Sequence, residues 1–278
     1  MEQQDRTNRT KAAAARGETV FVPEINRVFD PVVIELIAEA GYGCAWVDME
    51  HSHASLDRLS SMILAARTVG LDLFVRIPHG QYNQVIKPLE LGAAGLIWPH
   101  CRSAGEARRF VRMGKFQPLG LRGMGGGRDS RYGADDTAEY LDRANEQTLL
   151  GVMIEDAEGV EEAEEIAAVE GIDLLFVGPG DLSHSCGTIR EPGKPHLHTP
   201  VLAAYERVGA ACRANGKVMG TAVDPGPEMA EAVRLGVRWL NCCHELRAVT
   251  AGYGNALAES RAIVDQHAAA ANNERSES

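Results

Sequence analysis

Eight short apolar runs, each followed by a segment of helical period, recur through the chain and leave few folds open to it. The runs fall at 19–22, 44–47, 73–77, 95–98, 149–154, 174–177, 218–221 and 239–242. They are too short for helices and carry no apolar–polar alternation, the pattern of strands buried on both faces. The helical segments fall at 31–40, 55–69, 82–91, 104–113, 138–146, 160–168, 200–215 and 227–235, with a last one from 246 onward. Glycines such as Gly41, Gly70, Gly92 and Gly236 stand where those helices should stop. A strand–helix–strand crossover forces its two strands parallel. Eight such units in 278 residues, with no GxGxxG after the first strand, predict a closed (β/α)8 TIM barrel of the α/β class rather than an open doubly wound sheet. No linker interrupts the pattern, so a single domain is expected over 17–267. Residues 1–16 are polar without an apolar stripe and read as a disordered arm. Residues 268–278, polar and Ala-rich, read as a disordered tail.

A formal charge of −11 argues against nucleic acid or an anionic membrane as partner, so an anionic substrate would need locally placed positive charge. The six cysteines have no zinc-like spacing and no apolar signal segment opens the chain, which points to reduced thiols in a cytoplasm. The Cys242-Cys243 pair reads as the end of a buried strand.

Barrel active sites are built at the carboxyl ends of the strands, so the polar residues there are the candidates. Asp48, Glu50 and His51 follow the second run, Arg76 lies inside the third, His100 follows the fourth, Glu155 the fifth, Asp181 the sixth and Asp224 the seventh. Glu155 and Asp181 leave the same edge of parallel strands. Two carboxylates beside Gly178-Pro179-Gly180 suit a hard divalent cation that prefers oxygen ligands. The plainer alternative is that Glu155 opens a solvated acidic helix and Asp181 caps the next segment. Arg76, in the apolar run LFVRIP, must face the barrel mouth or pair with a buried carboxylate. His51 offers an imidazole, a side chain suited to general-base work near neutrality, or else merely caps a loop. No lysine ends a strand, so negative charge developing beside a carbonyl would fall to a cation and to Arg76 rather than to a Schiff base. The glycines of GMGGG before Arg128 suggest a flexible anion-binding loop, although the lysine and serine of a P-loop are missing.

The segments WVDMEHSH (46–53), FVRIP (74–78), IKPLELGAAGLIWPHCRSAGEAR (86–108), GLRGMGGGRDSRYG (120–133), MIED (153–156) and FVGPGDLSHS (176–185), taken in order, resemble the HpcH/HpaI family of class II pyruvate aldolases. The resemblance runs from about Phe21 to Leu257. It implies a (β/α)8 barrel and a divalent metal (Mg²⁺, Mn²⁺ or Co²⁺). It also implies reversible aldol cleavage of a 4-hydroxy-2-oxo acid to pyruvate, or a related 2-oxo acid, and an aldehyde. Carried over residue by residue, it places the metal carboxylates at Glu155 and Asp181, the enolate-stabilising arginine at Arg76 and the acid/base histidine at His51. Asp48 matches the carboxylate that orients that histidine. Gly178 and Gly180 match backbone positions at the substrate, with Gly180 where alanine is common. Glu90 stands where the family has an aspartate reaching a neighbouring subunit's site, and the implied assembly is a homohexamer.

Met153 departs from the pattern, because the family usually places a glutamine there, lining the pyruvate site. A thioether cannot replace both the donor and the acceptor of an amide. Met153 either faces the pocket and favours 2-oxo acids with an apolar substituent, or points into the barrel core. Residues 190–198, rich in Pro, Gly and His, read as a surface loop or a wall on the aldehyde side. Two other readings stay open: a related barrel lyase or decarboxylase acting on a CoA thioester or an oxaloacetate-like acid, and a non-catalytic relative.

Overall fold

The computed structural model describes residues 7–188 and 199–276. Its eight strands are β1 (Val20–Ile25), β2 (Cys44–Asp48), β3 (Asp72–Arg76), β4 (Gly95–Trp98), β5 (Leu149–Ile154), β6 (Leu174–Val177), β7 (Val218–Ala222) and β8 (Trp239–His244). They close in sequence order into a parallel barrel, β8 pairing with β1. Around it run α1 (Arg9–Ala15), α2 (Pro31–Glu39), α3 (Leu56–Val69), α4 (Tyr82–Leu91), α5 (Ala104–Gly114) and α6 (Thr137–Gln147), followed by the short pair α7 (Ala157–Glu161) and α8 (Ala163–Ala167). The rest are α9 (Pro179–Ser185), α10 (Thr199–Asn215), α11 (Pro227–Arg234) and α12 (Glu245–Ser276). The helix expected at 160–168 is divided at Glu162, which closes α7 and opens α8.

Side-chain alternation divides the core in two. Inward-facing Val22, Trp46, Phe74, Ile97, Met153, Phe176 and Trp239 plug the barrel. Their neighbours Val47, Val75, Leu96, Val152, Leu175 and Leu240 face the helices. The plug is dense enough that β-carbons at Gly151 and Gly220 would stand 2.9 Å from Ile97 and 2.8 Å from Phe176, which is why these strand positions carry no side chain.

Two expectations about the ends are corrected. Within the supposed disordered arm 1–16, residues 9–15 form α1, docked on the amino ends of the strands. Asn8 caps it, accepting the Lys11 N–H (2.8 Å) while its amide donates to the carbonyls of Ala94 and Gln147. Thr10 donates twice to Asp72, and Lys11 pairs with Asp173 at 2.9 Å. The attachment is polar, so hydrophobic periodicity carries no trace of it. At the other end α12 continues through the supposed disordered tail as far as Ser276, consistent with the helix propensity of its Ala268–Ala271 tract. The 190–198 stretch lies outside the described residues, as do residues 1–6. No helix among the described residues is long and apolar enough to cross a membrane.

Candidate active site

The carboxyl rim is assembled one layer above the plug. Two residues beyond Val22, Trp46, Phe74 and Met153 come Glu24, Asp48, Arg76 and Glu155, all on the inward face. The β2–β3 register sets Asp48 opposite Arg76. Arg76 donates from Nε to Asp48 Oδ1 (2.9 Å) and from Nη2 to Oδ2 (2.7 Å), a two-pronged pair. Glu24 and Glu50 each stand 3.5 Å from the same guanidinium, which lies 5.4 Å above the Trp46 ring. Burial alone would push the Asp48 carboxyl up, but Arg76 and the backbone N–H groups of Glu50 and His51 outweigh it and hold it below the usual range. Burial disfavours the charge on Arg76, and Asp48, Glu24 and Glu50 more than compensate, so the guanidinium stays protonated.

Glu155 is 2% exposed and accepts the backbone N–H of His100 at 2.8 Å, an alignment made with His100 at φ +50°. The His100 ring lies 3.0 Å from Asp156, which also holds Arg102 at 3.1 Å. Burial raises the Glu155 carboxyl; His100 opposes this, and the charges of Asp181 and Glu50 add to it. Against its own desolvation, the His100 imidazolium is favoured by Glu155, Asp156 and Glu50. Gly178 gives Glu155 its room, since a β-carbon there would lie 2.6 Å from Oε2. Asp181, exposed in the first turn of α9, completes the carboxylate side.

The remaining candidates separate. Asp48 gives both its oxygens to Arg76, and its Oδ1 also accepts the backbone N–H groups of Glu50 (2.9 Å) and His51 (3.4 Å) rather than meeting the His51 ring. The ring of His51 is more than half exposed and stands 3.6 Å from Glu50 Oε2. His53 packs edge-on against Phe29. Met153 belongs to the plug, 3% exposed, yet its sulfur lies 3.9 Å from Arg76 Nη1, so both alternatives hold in part. Glu90 sits near the far end of α4 beside Gly125, well below the rim of its own barrel. Asp224 is exposed and paired with Arg247. Sequence reasoning missed Glu24, and it placed Glu50 and His100 at strand ends without a role. The signal for Glu24 was masked by Pro23, at which the register with β8 shifts.

Fold and rim together define a TIM-barrel enzyme with its chemistry at the carboxyl face. The profile of the HpcH/HpaI aldolase/citrate lyase family matches residues 20–239, and the chain belongs to that family. It is 39% identical to the 4-hydroxy-4-methyl-2-oxoglutarate aldolase of Chaetomium globosum over 77% of this chain and 78% of that one. It is 35% identical to the hydroxypyruvate/pyruvate aldolase of Pseudomonas aeruginosa, over 67% and 70% of the two chains. Among solved structures, the HpcH/HpaI aldolase from Desulfitobacterium hafniense DCB-2 superposes with a TM-score of 0.82 at 29% identity, covering 90% of this chain and 96% of that one.

Proposed function

We propose that this protein is a metal-dependent aldolase that reversibly cleaves a 4-hydroxy-2-oxo acid into pyruvate, or a related 2-oxo acid, and an aldehyde. The observation that carries the reading is the Arg76 guanidinium, held by buried Asp48 on the same rim as Glu155. Asp48 occupies Nε and one edge of Nη2, while Nη1 meets only the Met153 thioether. That leaves Nη1 without a carboxylate partner and able to serve an oxyanion that forms when the carbon–carbon bond breaks. Asp48 thus acts as the residue that fixes the fork.

A hard divalent cation fits the opposite side. Glu155 is buried near the carboxylates of Asp181 and Glu50, with one backbone donor at Oε1 and the His100 ring 3.7 Å from the same oxygen. Among the described residues no three His, Cys, Asp or Glu converge into a ligand cluster. Glu155 and Asp181 suit an ion such as Mg²⁺, Mn²⁺ or Co²⁺, which takes its other oxygens from substrate and water. Bound there, it supplies Lewis acidity toward the 2-oxo acid. The backbone at Gly178 and Gly180 lines the approach of the substrate carboxylate. His51, exposed at the rim with Glu50 beside it to steady an imidazolium, takes the proton of the 4-hydroxyl. The described lysines lie in α1, in α4 or near the amino ends of strands, none at the rim.

A homo-oligomer, by the family's pattern a hexamer, is supported by α12. Every residue from Leu246 to Ala268 is exposed, including Val249, Tyr253 and Leu257, so the helix leaves the β8–β1 wall where a barrel's last helix normally packs, and Phe21 on that wall is half exposed. In such an assembly Glu90 would reach a neighbour's site. The test is turnover of several 4-hydroxy-2-oxo acids beside oxaloacetate and a CoA thioester. EDTA should abolish cleavage and Mn²⁺ restore it. Full activity in EDTA, or a borohydride-trapped pyruvate adduct, would overturn the assignment.

A further inference from the structure

On the opposite face of the barrel, α3, α4, α6, Arg122, the Arg128–Asp129 turn and the docked arm line a cavity of about 280 Å³. Five arginines (Arg9, Arg67, Arg122, Arg128 and Arg143) and two aspartates (Asp72 and Asp129) line it, and Arg143 is paired with Asp135. Both aspartates are engaged. Asp72 accepts from Thr10, and Asp129 pairs with Arg122 while accepting the Tyr140 hydroxyl at 2.7 Å. Arg128 is held by neutral groups, the Leu91 and Ser60 carbonyls and the Ser60 hydroxyl, so its charge is positioned without being cancelled there. Arg122 has a side chain only 2% exposed, stacked 4.8 Å from the Phe116 ring, and its Nε has no partner; the Nε of Arg128 is likewise buried and unpartnered. A guanidinium held in a partly buried wall by neutral groups alone, as Arg128 is, is stabilised by an anion that approaches it. Ile63, Leu71, Leu89 and Ala144 give the wall an apolar part, beside polar Asn8, Tyr140, Gln147 and Thr148.

We infer that this cavity is a second binding site, separate from the mouth, for a small organic oxyanion: a phosphate or carboxylate head against Arg122 and Arg128, and a compact apolar body against Leu89 and Ala144. The planar fork of arginine accepts either head, and the volume falls just below that of pockets for drug-sized ligands, which selects a body the size of one ring. Asn8 and Arg9 close one side of the cavity, so the ligand also bridges the arm to the barrel.

Phenyl phosphate, benzoate and neutral benzyl alcohol, titrated into the full chain by calorimetry or ligand-observed NMR, test this. At least one of the two anions should bind saturably below about 10 mM, and more tightly than the alcohol. Which anion wins distinguishes the two heads. Ala144→Phe fills the cavity while leaving every arginine in place, and Arg128→Met removes one charge but keeps the stem. Each should weaken binding on the order of tenfold or more. Arg76→Met, at the mouth, should leave it unchanged. The proposal is overturned if neither anion saturates, if Ala144→Phe and Arg128→Met both bind as the natural chain does, or if Arg76→Met abolishes binding.

Discussion

Replacing Gly178 by alanine tests the rim with one methyl group. The new β-carbon would stand 2.6 Å from Glu155 Oε2 and 2.9 Å from its Cβ. Comfortable carbon contacts lie near 3.5–4.0 Å, so Glu155 must retreat by roughly 0.7 Å. Gly178 has φ −90° and ψ 93°, which alanine adopts freely, so the effect falls on the neighbour and not on the backbone. Misplacing a group by about 1 Å costs catalysis on the order of 10²-fold, and a loss approaching that in kcat/KM is expected, together with weaker Mn²⁺ binding. Gly180 is the control, since a β-carbon there meets nothing within 4 Å. Gly180→Ala, inside α9, should keep activity within about threefold and hold or raise Tm. The assay is kcat/KM for aldol cleavage at saturating Mn²⁺, with an Mn²⁺ titration and a melting curve on each variant. Undiminished activity in Gly178→Ala, or an equal loss in both variants, would refute the reasoning.

Three further substitutions probe other links. Arg76→Lys keeps the charge but cannot span both oxygens of Asp48, so turnover should fall on the order of 10²–10³-fold with Mn²⁺ affinity little changed; near-normal turnover would remove Arg76 from the reaction. Met153→Gln puts an amide oxygen where a thioether now lies 3.9 Å from Arg76 Nη1, so the ratio of kcat/KM for pyruvate over 2-oxobutyrate should rise without the loss of Tm that an orphaned amide would bring. Lys115 is buried against the carbonyls of Asn145 and Thr148, and burial lowers its pKa to about 7. Below pH 7 it is charged both folded and unfolded, and the burial cost stands in full. Between about pH 7 and its unfolded value of 10.5 the unfolded chain holds a proton that the folded one has released, so this group makes stability rise with pH, by at most about 5 kcal/mol. Urea midpoints at pH 7 and pH 9 should therefore climb more for the natural chain than for Lys115→Met; parallel curves would sink the assignment.

How far the structure could be read from sequence follows from which interactions leave a periodic trace. Strand positions came through because both faces are buried and the runs are continuously apolar: β4, β5 and β6 lie where expected to the residue. The arm did not, because α1 is held by Asn8, Thr10 and Lys11 through polar contacts with residues 62 to 162 positions away, which no local pattern encodes. Glu24 was lost for a different reason: Pro23 ends the apparent run at Val22, whereas the strand absorbs the proline by a register shift and continues to Ile25. At the rim, residue types and strand ends were readable, but pairing was not.

Asp48 shows what the missing information is. Three residues from His51, it was assigned to that histidine, whereas the parallel β2–β3 register puts it directly across from Arg76, 28 positions along the chain, and the bidentate geometry takes both its oxygens. The consequence reaches function. A carboxylate serving histidine would tune a base, whereas one serving arginine fixes the direction of an oxyanion donor. Removing it should therefore resemble loss of Arg76 more than loss of His51. Asp48→Asn offers one acceptor where the fork needs two, and its amide N–H₂ would oppose a guanidinium N–H. Its expected signature is a fall in pyruvate proton exchange as large as the fall in aldol cleavage, because both reactions pass through the same oxyanion. His51→Ala should spare the exchange. Should Asp48→Asn spare exchange while losing cleavage, the register-based pairing would be structural only and the carboxylate would return to the histidine.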